Sequence, residues 1–212
     1  FDPSWIIKTT YTFFAPLFSK FGVILLISVF LIAVLAAVVN FDRLISSIDN
    51  DILSQSSILS LAIAYPILKA VHELSHGYAV HRFGGEGREF GSMLLIFFPV
   101  PYVEASEATA FSDKRARMLV SGAGIFAEVI IAALALIIWV NLEPGLIRAI
   151  LFNFIVVGSI STVLFNGNPL LKFDAYYVLS DWLELPNLAQ RSGQYLGDQF
   201  LARISGLRGE IT

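Results

Sequence analysis

Apolar residues along this chain gather into long unbroken runs instead of alternating with polar ones. About 20 such residues in a row are what a helix needs to cross the hydrocarbon core of a bilayer. Phe21 to Asn40 meets that requirement, with no charge between Lys20 and Asp42. Ile58 to Val80 meets it next, but carries Lys69 and a group of polar residues in its second half. Met118 to Val140 is a third run, interrupted by Glu128, and Leu146 to Phe165 is a fourth, with Arg148 near its start. The pattern predicts an all-α membrane protein with about four transmembrane helices.

The segments between and beyond these runs have other patterns. Gly91 to Tyr102 is apolar but too short to span, and Pro99 and Pro101 prevent a regular helix there. We expect a re-entrant or strand-like loop at the membrane edge, because irregular backbone at that depth is tolerated only against protein or a water-filled cavity. Phe1 to Lys20 mixes Trp5, Tyr11, Phe13, Phe14 and Phe18 with two lysines, the composition of an interfacial segment. Leu188 to Leu207 predicts an amphipathic surface helix. The expected organisation is an interfacial segment at 1–20, a transmembrane core at 21–185 and a cytoplasmic amphipathic tail at 186–212. No internal repeat or low-complexity tract is present. The chain opens on Phe1 without a signal-peptide pattern, which suggests a piece of a longer protein.

Composition agrees with the membrane assignment. The 212 residues are 56% hydrophobic and only 15% charged, with a mean hydropathy of +0.73, whereas soluble domains carry about 25% charged residues. A net charge of −3 gives no argument for a nucleic-acid partner. The absence of cysteine excludes disulfides, thiolate nucleophiles and cysteine-ligated metal. Arg82, Arg88, Lys114, Arg115 and Arg117 fall between the second and third runs. The opposite side has Arg43 and Arg148 among Asp42, Asp49, Asp51 and Glu143. The positive-inside tendency then puts the first group and both ends of the chain in the cytoplasm.

The candidate chemistry lies in the second run, at His72-Glu73-Leu74-Ser75-His76. Residues four apart share a helix face, so His72 and His76 can offer imidazoles to one Zn²⁺. Glu73 is then beside the metal, where it can take a proton from a water. Counting back from Arg82 at 1.5 Å per residue puts His72 roughly 15 Å deep; counting in from Arg117 puts Glu128 about 16 Å deep. Glu128 therefore either orients a ligand histidine or is a protonated carboxyl shared between helices. His81 lies nine residues from His72 and five from His76, off their common face. A better third ligand comes from the run Asn166 to Asp174, where Gly167 and Pro169 break the helix and let Asp174 be aimed. A straight fourth span would carry Asp174 past the membrane surface. Either a turn at Gly167 to Pro169 returns it, or the span starts later than Leu146.

HExxH in one span, followed after two more spans by N-x-x-P-x-x-x-x-D, resembles the site-2 protease family of intramembrane zinc metalloproteases. The wording F-N-G-N-P-L-L-K-F-D-A-Y-Y-V-L-S-D-W-L-E-L-P-N-L is similar to its bacterial branch of peptide zinc metalloproteases. The likeness covers roughly Ala64 to Leu188. Ala123 to Glu128 also resembles the family's A-G-P-x-x-N, with Ile125 for the proline and Glu128 for the asparagine. The resemblance implies zinc on His72, His76 and Asp174, Glu73 as general base, and Asn166 at the substrate carbonyl or its oxyanion. It also implies a bacterial inner membrane. Where the family has glycine after the aspartate, this chain has Ala175, which would be strained at a position needing φ > 0.

The expected activity is hydrolysis of peptide bonds in membrane-embedded or membrane-associated peptides. The short apolar loop, through Phe98, Val100 and Tyr102, could pair with an unwound substrate as an added strand or simply pack over the site. Glu104 and Glu107 read as solvated, and Lys114 to Arg117 as an anchor at the head groups. A non-proteolytic subunit of a peptide maturation or export assembly that kept the metal site is the second reading, fed by Ala175. A cation channel or carrier is a third, weakened by the lack of inverted repeats.

Overall fold

A computed structural model describes residues 4–51, 55–85, 90–95, 98–103 and 111–205. The chain is predominantly helical: α1 (Ser4–Phe14), α2 (Lys20–Val39), α3 (Phe41–Asp51), α4 (Gln55–Arg82), α5 (Lys114–Trp139), α6 (Leu146–Ile160), α7 (Asp174–Leu183) and α8 (Leu188–Ser205). Between α4 and α5 lies an antiparallel hairpin of β1 (Phe90–Leu95) and β2 (Phe98–Val103), in the segment where a strand-like loop was expected. Start signals are local. Ser19 Oγ accepts from the Gly22 amide at 3.1 Å to cap α2, and Asp113 Oδ1 accepts from the Arg115 amide at 2.9 Å to cap α5.

Among the described residues, three helical stretches are long and apolar enough to cross a membrane: Lys20–Val39, Lys114–Trp139, and Leu146–Asn166, which extends α6 through a π-helical turn. α4, which the hydropathy pattern marks as another span, is not among them; it carries Lys69, His72, Glu73 and His76 in its second half. α2 is apolar on every side and buries only Gly22 and Ala33, leaving Ile24, Leu25, Leu31 and Leu35 exposed. A helix of that kind suits a hydrocarbon environment.

α4, α5 and α6 pack against one another, with α2 on the second half of α5. Ala33, Ala133, Leu136, Trp139 and Phe152 form the core at that end; Ala79, Val80 and Val120 form one at the other. α5 and α6 approach closely at Gly158, where a Cβ would lie 3.0 Å from the Ala132 Cβ and 3.2 Å from the Glu128 carbonyl oxygen. Small residues at a crossing are what bring membrane helices together.

One connection holds a helix that the apolar runs did not mark. Residues 41–51, read as an outer connection, form α3, whose Phe41, Leu44, Ile45 and Ile48 recur at helical spacing. The N-terminal segment forms α1, which packs on the end of α4, with Ile7 buried, Thr10 Oγ1 2.7 Å from Tyr78 Oη, and Tyr11 edge-on to His81 at 4.8 Å.

α7 runs back along α5 and is clasped at its far end. Arg117 Nε donates to Asp181 Oδ1 at 2.7 Å, Arg117 Nη1 donates to the Phe111 carbonyl at 2.7 Å, and Lys114 Nζ meets Glu184 Oε1 at 2.9 Å. The hydrogen bond from Lys114 holds the Glu184 carboxyl below the usual carboxylate range. Two of the basic residues expected to act as a head-group anchor thus also hold α7. We expect Arg117→Met to cost about 2 kcal/mol, as loss of partly exposed charge-assisted hydrogen bonds does, and Arg117→Lys to cost less. Thermal unfolding in detergent measures both.

Candidate metal centre

His72 and His76 lie one turn apart on α4, and Asp174 is the first residue of α7. Their ligand atoms converge. Asp174 Oδ2 is 3.1 Å from His72 Nε2 and 3.6 Å from His76 Nε2, and the two Nε2 atoms are 3.2 Å apart. His76 Nδ1 lies 2.7 Å from the Val120 carbonyl oxygen, which can only accept, so the proton of a neutral His76 is on Nδ1 and its Nε2 carries a lone pair. His72 Nδ1 lies 3.0 Å from Glu128 Oε1, within ion-pair reach though off the axis of a regular hydrogen bond. A proton there leaves His72 Nε2 free to donate its electrons.

These three groups form an electron-rich pocket. Asp174 Oδ2 is buried and accepts no hydrogen bond, an arrangement that costs free energy unless a cation compensates it. A tetrahedral ion with bonds of about 2.1 Å keeps its ligands about 3.4 Å apart, close to the spacings observed. His72, His76 and Asp174 can therefore hold a metal ion.

Around them sits a buried polar network centred on Glu128, which is fully buried. Lys69 Nζ lies 2.5 Å from Oε1, while Thr162 Oγ1 and Asn166 Nδ2 donate to Oε2 at 3.2 and 3.1 Å. Thr162 and Asn166 belong to the π-helical turn Ser161–Asn166, a wide turn of a kind that recurs at functional sites. Asn166 thus spends a side-chain N–H on Glu128. Glu73 follows His72 on α4 and is half-buried.

The level of Asp174 has a simple cause. α6 starts at Leu146 and its extension ends level with Glu128, not at the far surface. Residues 167–173 leave the helix, and α7 starts beside His72. Ala175, the second residue of α7, has no positive φ, so alanine is unstrained there and favoured as a helix former. His81 is engaged with Tyr11 and joins no ligand group among the described residues. Phe98, Val100 and Tyr102 lie on β2, but their side chains fall outside the described part, as do residues Glu104 and Glu107.

Several contributors carried only faint signals in the sequence. Gly124 on α5 faces His72 so closely that a Cβ would lie 2.4 Å from its Cε1 and Nε2; the small run Ser121-Gly122-Ala123-Gly124 hints at a close helix approach. Lys69, three residues before His72, shares its helix face, and a lysine at that depth calls for a partner. Thr162 and the Val120 carbonyl had no recognisable signal.

The arrangement defines a helical bundle with an internal two-histidine, one-carboxylate site suited to a metal ion. Comparison with protein-family models, curated proteins and solved structures gives no match.

The closeness of Gly124 to His72 makes a direct prediction. Gly124→Ala must displace the imidazole and should lower metal affinity roughly tenfold or more, the scale of losing a ligand's supporting contact. Gly122→Ala, whose Cβ would meet the flexible Phe126 ring at 3.3 Å and a Val178 methyl at an ordinary 3.7 Å, should leave it nearly unchanged. Metal titration of the two purified variants separates these outcomes.

Proposed function

We propose that this chain is the core of an intramembrane zinc metalloprotease of the site-2 type. The single observation that carries the reading is the convergence of both HExxH histidines with Asp174, the last residue of N-x-x-P-x-x-x-x-D. Two imidazoles and one carboxylate are a donor set of the kind found in catalytic zinc sites, with one position left for water or substrate. Zinc bound there would supply an electrophile that acidifies water and polarises a carbonyl. In this reading α4 is a fourth span, the basic end near Arg117 is cytoplasmic, and the hairpin lies at the membrane edge of a bacterial inner membrane.

The chain's own residues take the remaining roles. His72 and His76 donate through Nε2, kept in register by Glu128 and the Val120 carbonyl. Glu73 accepts a proton from the attacking water and passes it to the leaving amide nitrogen. Asn166, pinned by its bond to Glu128, keeps its amide near the carbonyl of a bound peptide.

The hairpin supports a specific substrate edge. Register pairs Ser92 with Pro101 and Leu94 with Pro99, and proline has no N–H to give. Hydrogen-bonded pairs therefore fall at Gly91–Tyr102, Met93–Val100 and Leu95–Phe98. The outer edge of β2 lacks donors at Pro99 and Pro101, and β2 is the strand along α4. An unwound substrate segment would pair instead with Phe90, Ser92 and Leu94 of β1. Pairing thus moves from Phe98, Val100 and Tyr102 to the neighbouring strand.

The second reading, a non-proteolytic subunit that kept its metal, loses its main support at Ala175 because the helix accommodates alanine without strain. Glu73→Gln should retain about one zinc per chain yet reduce cleavage of a co-expressed membrane-spanning reporter by about 10²–10⁴-fold. Asp174→Ala should lose both zinc and cleavage. Normal reporter processing by Glu73→Gln would sink the protease reading, and a parent protein that binds zinc but cleaves no reporter would favour the non-proteolytic subunit.

A further inference from the structure

At the opposite end of the bundle from the Arg117 clasp, two arginines meet one buried tryptophan. Trp139, at the end of α5, is 1% exposed, and Arg148 of α6 and Arg43 of α3 lie over its ring at 4.5 and 5.9 Å from the centroid. Each cation gains from the ring quadrupole, but gathering two positive charges on one indole is repulsive. Arg43 donates from Nη1 to Asn40 Oδ1 at 3.2 Å and to the Val140 carbonyl at 3.4 Å. Arg148 donates to no described residue. Asp42 and Glu143, the described carboxylates nearby in sequence, are exposed and pair with neither.

We infer that Arg43 and Arg148, held over Trp139, form a binding site for the phosphate of an anionic glycerophospholipid. Three features favour a lipid over a free anion. The pair sits where α2 and α5 end and α6 begins, the head-group level of all three membrane-length helices. Exposed Val38, Val39, Leu146 and Ile147 flank it with apolar surface along which acyl chains can lie. A planar guanidinium stacked on an aromatic ring also keeps its outward N–H groups aimed at a phosphate. The site rests on the membrane placement of these helices and is independent of the metal centre.

The test is thermal unfolding of the whole chain in neutral detergent, titrated with phosphatidylglycerol, phosphatidylcholine or inorganic phosphate. Phosphatidylglycerol should raise the Tm of the parent, and the other two should not. In the double variant Arg43→Gln, Arg148→Gln the apparent affinity should fall roughly tenfold or more, with part of it recovered in the double lysine variant. Equal stabilisation by both lipids, an unchanged lipid preference in the glutamine variant, or an effect of phosphate alone matching that of the lipid would overturn the assignment. If the double glutamine variant does not fold, native mass spectrometry of the parent decides. Selective retention of anionic lipid is expected there, and its absence refutes the site.

Discussion

A carboxylate with no access to solvent must have its charge answered by its neighbours, and Glu128 imposes that demand on the centre of this bundle. Lys69 and His72 answer from α4, Thr162 and Asn166 from the π-helical extension of α6. Removing one member of such a network leaves an uncompensated buried charge, at a cost of about 3–5 kcal/mol. The network therefore ties three helices together at one level and sets the position of His72. It also accounts for where α6 stops being useful as a helix: Asn166 must reach Glu128, and the chain turns away immediately afterwards.

That turn decides the third ligand. With α6 finished at the level of Glu128, residues 167–173 deliver Asp174 to the start of α7, beside the histidines. Pairing of Arg117 with Asp181 and of Lys114 with Glu184 then holds the other end of α7 against α5. Ligand placement is thus distributed: two donors come from one rigid helix and the third from a short helix fixed at its far end. Close approach is part of the same design, since Gly124 leaves only enough room for the His72 ring.

Polar and apolar surfaces are segregated in a way that suits a bilayer. α2 turns aliphatic side chains outward along its length, while the charged and polar groups of α4, α5 and the α6 extension face one another. Guanidiniums occupy both ends of α5, paired with carboxylate at one and stacked on indole at the other. Charge at those levels can reach water or head groups, whereas the charge on Glu128 can reach only its partners.

Much of this was legible in the chain itself. Helix-length apolar runs located α2, α5 and α6 because a twenty-residue stretch with at most one charge has few other uses. Spacing of four put His72 and His76 on one face, since helical geometry is local. Gly167 and Pro169 marked where regular helix had to fail. α3 was missed although Phe41, Leu44, Ile45 and Ile48 carried its period, because a search for membrane-length runs overlooks a short amphipathic helix. What sequence left open were relations between residues far apart in the chain: whether Glu128 orients a histidine or bridges helices, how Asp174 regains the level of His72, and which partners Lys69 and Arg148 find. Those depend on where helix ends come to rest and on how closely backbones approach. Only packing decides such distances, because hydrogen bonds and ion pairs act over a few ångströms while sequence separation says nothing about proximity.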